Sequence, residues 1–370
     1  MIKVLQIVGT PELAGAQNVM FEVVKSLPDE HYRVYIAHSS EGDSEAFRTM
    51  GKSIESVEEI REIKYLQRAL SPVRDVLALF NLIKYIREVN PDVIHTHSSK
   101  PGALGRIAAK FCCVEVVFHH NHSFAFHIGS KLLTKTVYSL IEWFLAKWTT
   151  RFFFVNQEDL SYMSNSLGVS TGFLVHLPNG TPENGLTELP PPQKLDVIGF
   201  LGRFAYPKNI ELLIEIISAS NDKFPHLKFL IAGEGEERSL FSTVELKNVE
   251  LLGWVEDKVG FFSRVDAVIS TSEFEGHPLA LIEASSSGRP LLATNVKGNR
   301  DVVRDGENGF FFDLTSADSC IEAIEKMMNG SIDEMGNASR ELWRAQYTQS
   351  DFQNRVRFYY DRSNLENARM

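Results

Sequence analysis

Two successive series of short β-branched runs alternating with longer helical patterns constrain this chain more than any other feature, because that alternation is the mark of α/β architecture with parallel sheets. In the first series the strand runs fall at 3–8, 32–37, 93–97, 114–119, 152–155 and 173–177, with helical patterns at 16–27, 74–88 and 132–148 among them. The stretch 177–196 breaks the rhythm with Pro178, Asn179, Gly180, Pro182 and the prolines 190–192, and reads as a linker. A second series follows, with runs at 197–201, 229–232, 249–252, 267–269, 290–293 and 309–312. No short internal repeat is present, so a solenoid is excluded. Beyond residue 316 the pattern is helical, and 350–366 carries Phe352, Val356, Phe358 and Tyr359 with no strand after it.

At 370 residues and 44% hydrophobic, the chain is long enough for two cores. The net charge of −10 lies entirely after Gly180: 18 basic and 18 acidic residues precede it, 20 and 30 follow. A neutral half joined to an acidic half argues against nucleic acid as a partner, since phosphate backbones need a basic face. Three cysteines, two adjacent at Cys112 and Cys113, form no disulfide framework and have no metal-ligand spacing, which fits a reducing cytoplasm. The apolar start meets Pro11 and Glu12, too soon for a signal peptide or a membrane span.

The segment 272–283, Ser-Glu-Phe-Glu-Gly-His-Pro-Leu-Ala-Leu-Ile-Glu, sets Glu275 and Glu283 with seven residues between them, across a glycine turn that opens an apolar helix. Pro278 suits a first helical position, where no N–H is lost, and the amides of Leu279 and its neighbours then point at an anion. Solvated helix carboxylates are the plainer reading of the same pair. The second series opens with a strand, a turn with Gly202 and Arg203, then Lys208 just before a helix. Two cations beside a helix N-terminus at a strand's C-terminal end suit a diphosphate. Gly233 and Gly235 lack the third glycine of a dinucleotide fingerprint and stand far from the first strand, which disfavours a dehydrogenase.

Taken together these motifs resemble retaining glycosyltransferase family 4, with its E-x7-E signature, Gly-Arg…Lys-Asn segment, strand followed by Gly-Glu-Gly, and Gly-Trp at 253–254; the resemblance is strongest over 199–313. It implies the GT-B fold: two Rossmann-like α/β domains facing across a cleft, 1–178 binding the acceptor and 197–349 the donor, joined by a linker at 179–196. It also implies a C-terminal helix, about 350–366, crossing back to the first domain. Donor contacts implied are Gly15, Arg203, Lys208, Gly253, Glu275, Gly276, His277, Pro278, Leu279 and Glu283, with Glu283 on the ribose, Glu275 towards the sugar, and the backbone after Gly253 reading the base. Trp254 would stack on the base or pack at the strand end. The loop Ala14-Gly15-Ala16-Gln17 resembles the family's glycine loop with one glycine fewer.

The first half also carries Asp92-Val-Ile-His-Thr-His, a family-like strand end, and Phe118-His-His-Asn-His-Ser-Phe. His119 and His120 must point to opposite faces of a strand and no carboxylate or cysteine follows at ligand spacing, so no metal is expected there. The resemblance assigns the sugar-contacting histidine to His120, with His122 as the alternative. No Asp-x-Asp occurs, so cations and helix amides replace a divalent ion. The helix 131–148 mixes Lys131, Lys135 and Lys147 with Leu132, Leu133, Tyr138, Trp143, Phe144 and Trp148, and would either pack on the sheet or lie on an anionic bilayer.

The implied reaction is retaining, metal-independent transfer of a sugar from a nucleotide diphosphate sugar, a UDP-sugar ahead of a GDP-sugar, to a glycan or polyprenyl-linked acceptor in polysaccharide or glycolipid assembly. No cofactor is expected. His120, Glu275, Arg203 and Lys208 would carry the step, in the cytoplasm or at the inner face of the membrane. The alternatives are a sugar-nucleotide epimerase on the same fold, which would not need E-x7-E, and a non-catalytic scaffold.

Overall fold

Both series become all-parallel sheets in the computed structural model, which describes residues 1–12, 15–42, 44–124, 132–243 and 246–369. The first sheet is built from β1 (Ile2–Ile7), α1 (Gly15–Lys25), β2 (Tyr32–Ser39), α2 (Glu45–Lys52), β3 (Val57–Ile63), α3 (Pro72–Val89), β4 (Val93–His97), α4 (Ser99–Phe111), β5 (Val116–Asn121), α5 (Leu132–Ala146), β6 (Arg151–Phe154), α6 (Gln157–Ser161) and β7 (Leu174–His176). Its strand order is β3-β2-β1-β4-β5-β6-β7. Successive residues feed opposite faces: Val4 joins the core under α1, α2 and the chain's end, while Leu5 joins the core under α3 and α4. The edge strand β3 is absent from the sequence reading, because Glu58, Glu59 and Glu62 dilute its apolar signal; such charges suit an edge that must not recruit another strand.

The second sheet takes β8 (Val197–Leu201), α7 (Ile210–Lys223), β9 (Lys228–Ala232), β10 (Val249–Gly253), α8 (Lys258–Ser263), β11 (Ala267–Ser270), α9 (Leu279–Ser286), β12 (Leu291–Thr294), α10 (Asn299–Val302) and β13 (Gly309–Phe312). Its order is β10-β9-β8-β11-β12-β13. Helices α11 (Ala317–Asn329) and α12 (Ile332–Gln346) complete this unit. Ile198 and Phe200 pack under α7 and α11, and Val268, Leu291 and Ala293 under α8, α9 and α12.

The chain divides into one unit of Met1–Pro178 with Phe352–Met370 and another of Asn179–Asp351. Helix α13 (Gln349–Tyr360) starts in the second unit; from Phe352 on, with α14 (Arg362–Arg369), it belongs to the first, where Phe352, Val356, Tyr360 and Leu365 are buried. Residues 179–196, read from sequence as a linker, are part of the second unit. The Trp343 indole donates to Thr181 Oγ1 at 2.8 Å and the Thr181 amide to the Tyr347 carbonyl at 2.9 Å. Gly180 is required there, since a Cβ would stand 2.5 Å from the Thr348 carbonyl oxygen.

Candidate active site

Strands β8 and β11 are neighbours, and the chain leaves them for opposite sides of the sheet, so the loops at their carboxyl ends part and leave a crevice. Both sequence-marked loops of the second unit meet there. Lys208 Nζ donates to Glu275 Oε1 at 2.6 Å, and Ser272 Oγ donates to the same oxygen at 2.7 Å. The loops are also tied through their backbones: Thr271 Oγ1 donates to the Lys208 carbonyl at 2.7 Å, and the Glu273 amide to the Pro207 carbonyl at 2.8 Å. Behind them Thr294 Oγ1 donates to the Ser272 carbonyl at 2.6 Å, and Asn299 Nδ2 to the Thr294 carbonyl at 3.0 Å. Gly298, at φ +84°, lets its loop approach the Glu275 backbone; a Cβ would lie 2.6 Å from the Glu275 carbonyl oxygen. The sequence reading missed Ser272, Thr294 and Asn299 as supports of Glu275; only the order of β11 and β12 brings them together.

Helix α9 begins at Leu279, one residue later than expected, with Pro278 as its extended N-cap (φ −77°, ψ 92°). The amides of Leu281 and Ile282 bond the Pro278 carbonyl, leaving those of Leu279 and Ala280 as the helix's leading donors. Gly276 lies in the loop before them. His277 is buried, its Nδ1 accepts the Asn179 amide at 3.2 Å, and its ring packs edge-on against Tyr347. The imidazole thus fixes the loop from inside. Glu283 is 8% exposed, and its carboxylate Oε1 accepts from Lys258 Nζ. Burial pushes this carboxyl's pKa up, and the Lys258 ammonium opposes that shift. The buried serines after it bond back to the helix: Ser285 to Leu281, Ser286 to Glu283 and Ser287 to Ala284.

In the β8 loop Arg203 is exposed, with no ion pair among the described residues, and Lys208 is half-buried. Asn209 holds φ +51° and its Oδ1 caps α7 by accepting the Leu212 amide at 3.2 Å, two tasks that asparagine performs well. Gly253, at φ +71°, ends β10, and its carbonyl accepts the Gly233 amide at 2.8 Å. Trp254 is 73% exposed, so it is not packed at the strand end.

In the first unit β4 and β5 pair with His97 opposite His120, which sets His95, His97, His120 and His122 on one face, where Tyr360 also lies. His120 is wholly buried, and neither of its ring nitrogens has a hydrogen-bond partner. Of the two candidates for the sugar contact, His122, half-buried after the end of β5, is the more accessible in this structure. With Gln6 Oε1 accepting from His97 Nε2 at 2.8 Å, His97 Nδ1 must accept from His122 Nε2 at 3.0 Å. His122 Nδ1 is then left as an acceptor. Burial pushes the His122 pKa down to about 3 and keeps the others neutral.

His95, His97 and His120 bring ring nitrogens within 4.8 Å of one another, the one such trio of possible metal ligands among the described residues. Sequence spacing within 119–122 could not show it, because two of the three come from β4. An ion there would have to displace Gln6 or His122 from His97. Gly15 opens α1 with free space where a Cβ would stand, so packing does not require glycine there; Ala14 and Lys131 lie outside the described residues. Helix α5 buries Ser139, Glu142, Leu145 and Ala146, with Glu142 paired to the buried Arg106 at 2.8 Å. Its other side exposes Leu132, Leu133, Val137, Leu140, Ile141 and Phe144. No helix among the described residues is long and apolar enough to cross a membrane.

Comparisons with known proteins cover both units. The family model for glycosyl transferases group 1 matches residues 186–342, and that for Glycosyltransferase Family 4 matches residues 13–184. The chain is 29% identical over 350 residues to a UDP-Gal:alpha-D-GlcNAc-diphosphoundecaprenol alpha-1,3-galactosyltransferase of Escherichia coli, spanning 90% of this chain and 89% of that one. It is 27% identical to the O-antigen biosynthesis glycosyltransferase WbnH of Escherichia coli over 84% of this chain and 86% of that one. Among solved structures it is similar to HepE of Anabaena in complex with UDP, with a TM-score of 0.77 over 97% of this chain and 99% of that one; at 16% identity this likeness speaks for the fold.

Proposed function

Because this chain belongs to the family 4-type glycosyltransferases of the GT-B fold, we propose that it moves a sugar, with retained anomeric configuration and without a metal, from a nucleoside diphosphate sugar to a lipid-linked glycan acceptor. The observation that carries this reading is the bond between Lys208 and Glu275, which joins the cation of the β8 loop to the first carboxylate of the E-x7-E helix at the sheet's switch point. A diphosphate at the leading amides of α9 would lie beside Lys208 and Arg203, where fixed positive charge stabilises it as it leaves. In the step the bond from the anomeric carbon to the phosphate oxygen breaks and a bond to the acceptor oxygen forms on the same face. The acceptor's proton passes to the departing phosphate oxygen, so no protein nucleophile is needed. A UDP-sugar is the favoured donor, given the donor named for the Escherichia coli galactosyltransferase. An epimerase would have no use for this carboxylate pair.

Glu283 is assigned to the ribose. Glu283→Ala should weaken nucleoside diphosphate binding by roughly 1.5–3 kcal/mol, the range for hydrogen bonds to a charged group. A thermal-shift screen across UDP, GDP and ADP identifies the base, since the ligand that binds the folded state raises its melting temperature. Calorimetry on the folded Glu283→Ala protein then decides the role: unchanged affinity removes it.

His122 is assigned to a sugar hydroxyl, which its Nδ1 would accept, a contact absent with free nucleotide. His122→Ala is expected to lose roughly tenfold in kcat/KM while nucleotide affinity stays within about threefold. His120→Ala should act mainly on stability, as a buried ring removed from a packed face. Steady-state kinetics and melting curves for both variants separate the assignments; a larger kcat/KM loss at His120 with normal folding would return the role to it.

The acceptor's lipid would bring the protein to a membrane surface. The exposed apolar side of α5, with Lys135 and Lys147 on the same helix or just past it, has the composition of an interfacial helix on anionic lipid.

A further inference from the structure

Lys258, the first residue of α8, lies 25 residues before Glu283 in the chain, yet its ammonium meets the Glu283 carboxylate. The neighbouring Asp257 is spent on capping α8, where it accepts the Gly260 amide at 2.9 Å, so it does not compete for Lys258. Side-chain exposure is 10% for Glu283 and 44% for Lys258. A carboxylate that deep keeps its charge only if a partner compensates for lost hydration. Other charged side chains lie on elements packed against α9: Asp333, Glu334, Arg340, Glu341 and Arg344 of α12, Arg300 and Asp301 of α10, and Glu188 of the turn 185–188. β11 and β12 carry none. Arg340 is turned to the carbonyls of Ser286 and Leu189, and among the described residues Lys258 is the charged group paired with the Glu283 carboxylate. Because Lys258 engages only Oε1, the carboxylate's remaining lone pairs are left for a vicinal diol.

We infer that Lys258 is a positioning residue for the donor nucleotide, holding Glu283 charged and oriented so that it can accept both ribose hydroxyls. This rests on the ribose reading of Glu283. Without Lys258 the buried carboxyl takes up a proton at higher pH, and a neutral carboxyl accepts more weakly than a carboxylate. The affinity lost should therefore be greatest at low pH and regained as pH rises past the carboxyl's new pKa. A direct contact between Lys258 and the nucleotide would instead weaken binding by the same factor at every pH.

The test is calorimetry between about pH 6 and pH 9, using whichever of UDP, GDP or ADP binds the wild-type protein best. Taking the ratio of variant to wild-type Kd at each pH cancels titration of the nucleotide itself. For Lys258→Met the ratio should be roughly tenfold at the acid end and fall to about twofold at the alkaline end. Lys258→Arg should stay near one, and Lys258→Met should add nothing in a Glu283→Gln background. A ratio independent of pH, or an undiminished effect in that background, overturns the role of Lys258. Unchanged affinity in Glu283→Ala, or no binding of any of the three nucleotides to the wild type, instead defeats the ribose reading beneath it.

Discussion

Lys208→Ala should lower kcat by about 10²–10³-fold while lowering stability far less. In the proposed reaction the ammonium stands where negative charge would develop on a leaving diphosphate, and removing one preorganised stabiliser of that kind costs about 10²–10³ in turnover. The pair is partly buried, at 23% exposure for Lys208 and 14% for Glu275, but Ser272 still donates to the same Glu275 oxygen after the substitution, so the stability loss should stay below the loss in turnover. Turnover and stability should therefore separate cleanly. On the same proposal turnover is expected to be indifferent to chelation, with Lys208, Arg203 and the leading amides of α9 supplying the positive charge. Initial rates with and without EDTA decide that part; activity lost in EDTA and restored by magnesium or manganese would refute it. A Lys208→Ala enzyme with near-normal kcat would remove Lys208 from the step altogether.

Gly233→Ala is expected to destabilise the second unit by about 3 kcal/mol or more, because overpacking and a strained backbone act at the same residue. Gly233 sits at φ +152°, and a Cβ there would stand 1.8 Å from the Gly202 carbonyl oxygen and 2.8 Å from Phe204 Cε1. Neither neighbour can retreat easily. The Gly202 amide is bonded to the Ala232 carbonyl at 3.0 Å, the Phe204 amide to the Glu234 carbonyl at 2.8 Å, and the Gly233 amide to the Gly253 carbonyl at 2.8 Å. These bonds lock together the loops that follow β8, β9 and β10. For a unit of this size the expected fall in melting temperature is roughly 6–12 °C. Thermal melts of wild type and variant provide the check: a shift under about 2 °C would mean that the loops yield, and that this glycine is there for a ligand instead of for packing.

Gly233 also marks the limit of what the motif could say. Gly-Glu-Gly at 233–235 is legible in the chain as a turn after a strand, but its purpose is to let the β8 loop come close, and that neighbour is some thirty residues away in sequence. Glu275 and Glu283 are legible as a pair because both belong to one loop and helix, whose geometry follows from Gly276, Pro278 and the apolar run after them. Their partners are not. Lys258 reaches Glu283 from α8, and Lys208 reaches Glu275 only because β8 lies next to β11.

The histidines follow the same division. His119 and His120 can be set on opposite faces from the period of a strand alone, and the structure places His119 against Thr96 Oγ1 at 2.8 Å while His120 joins the face with Tyr360. That His120 is sealed in, and that His122 is the more accessible of the two, depends on β4 pairing with β5 and on α13 covering that face. By itself, then, the sequence determined the α/β class, the two series of strands and the carboxylate-bearing helix, since periodicity, turn chemistry and helix starts act between residues close in the chain. The tertiary structure alone decided which charges meet, which imidazoles are buried and which glycines are indispensable. Those properties depend on strand order and register, which bring together residues that no local pattern connects.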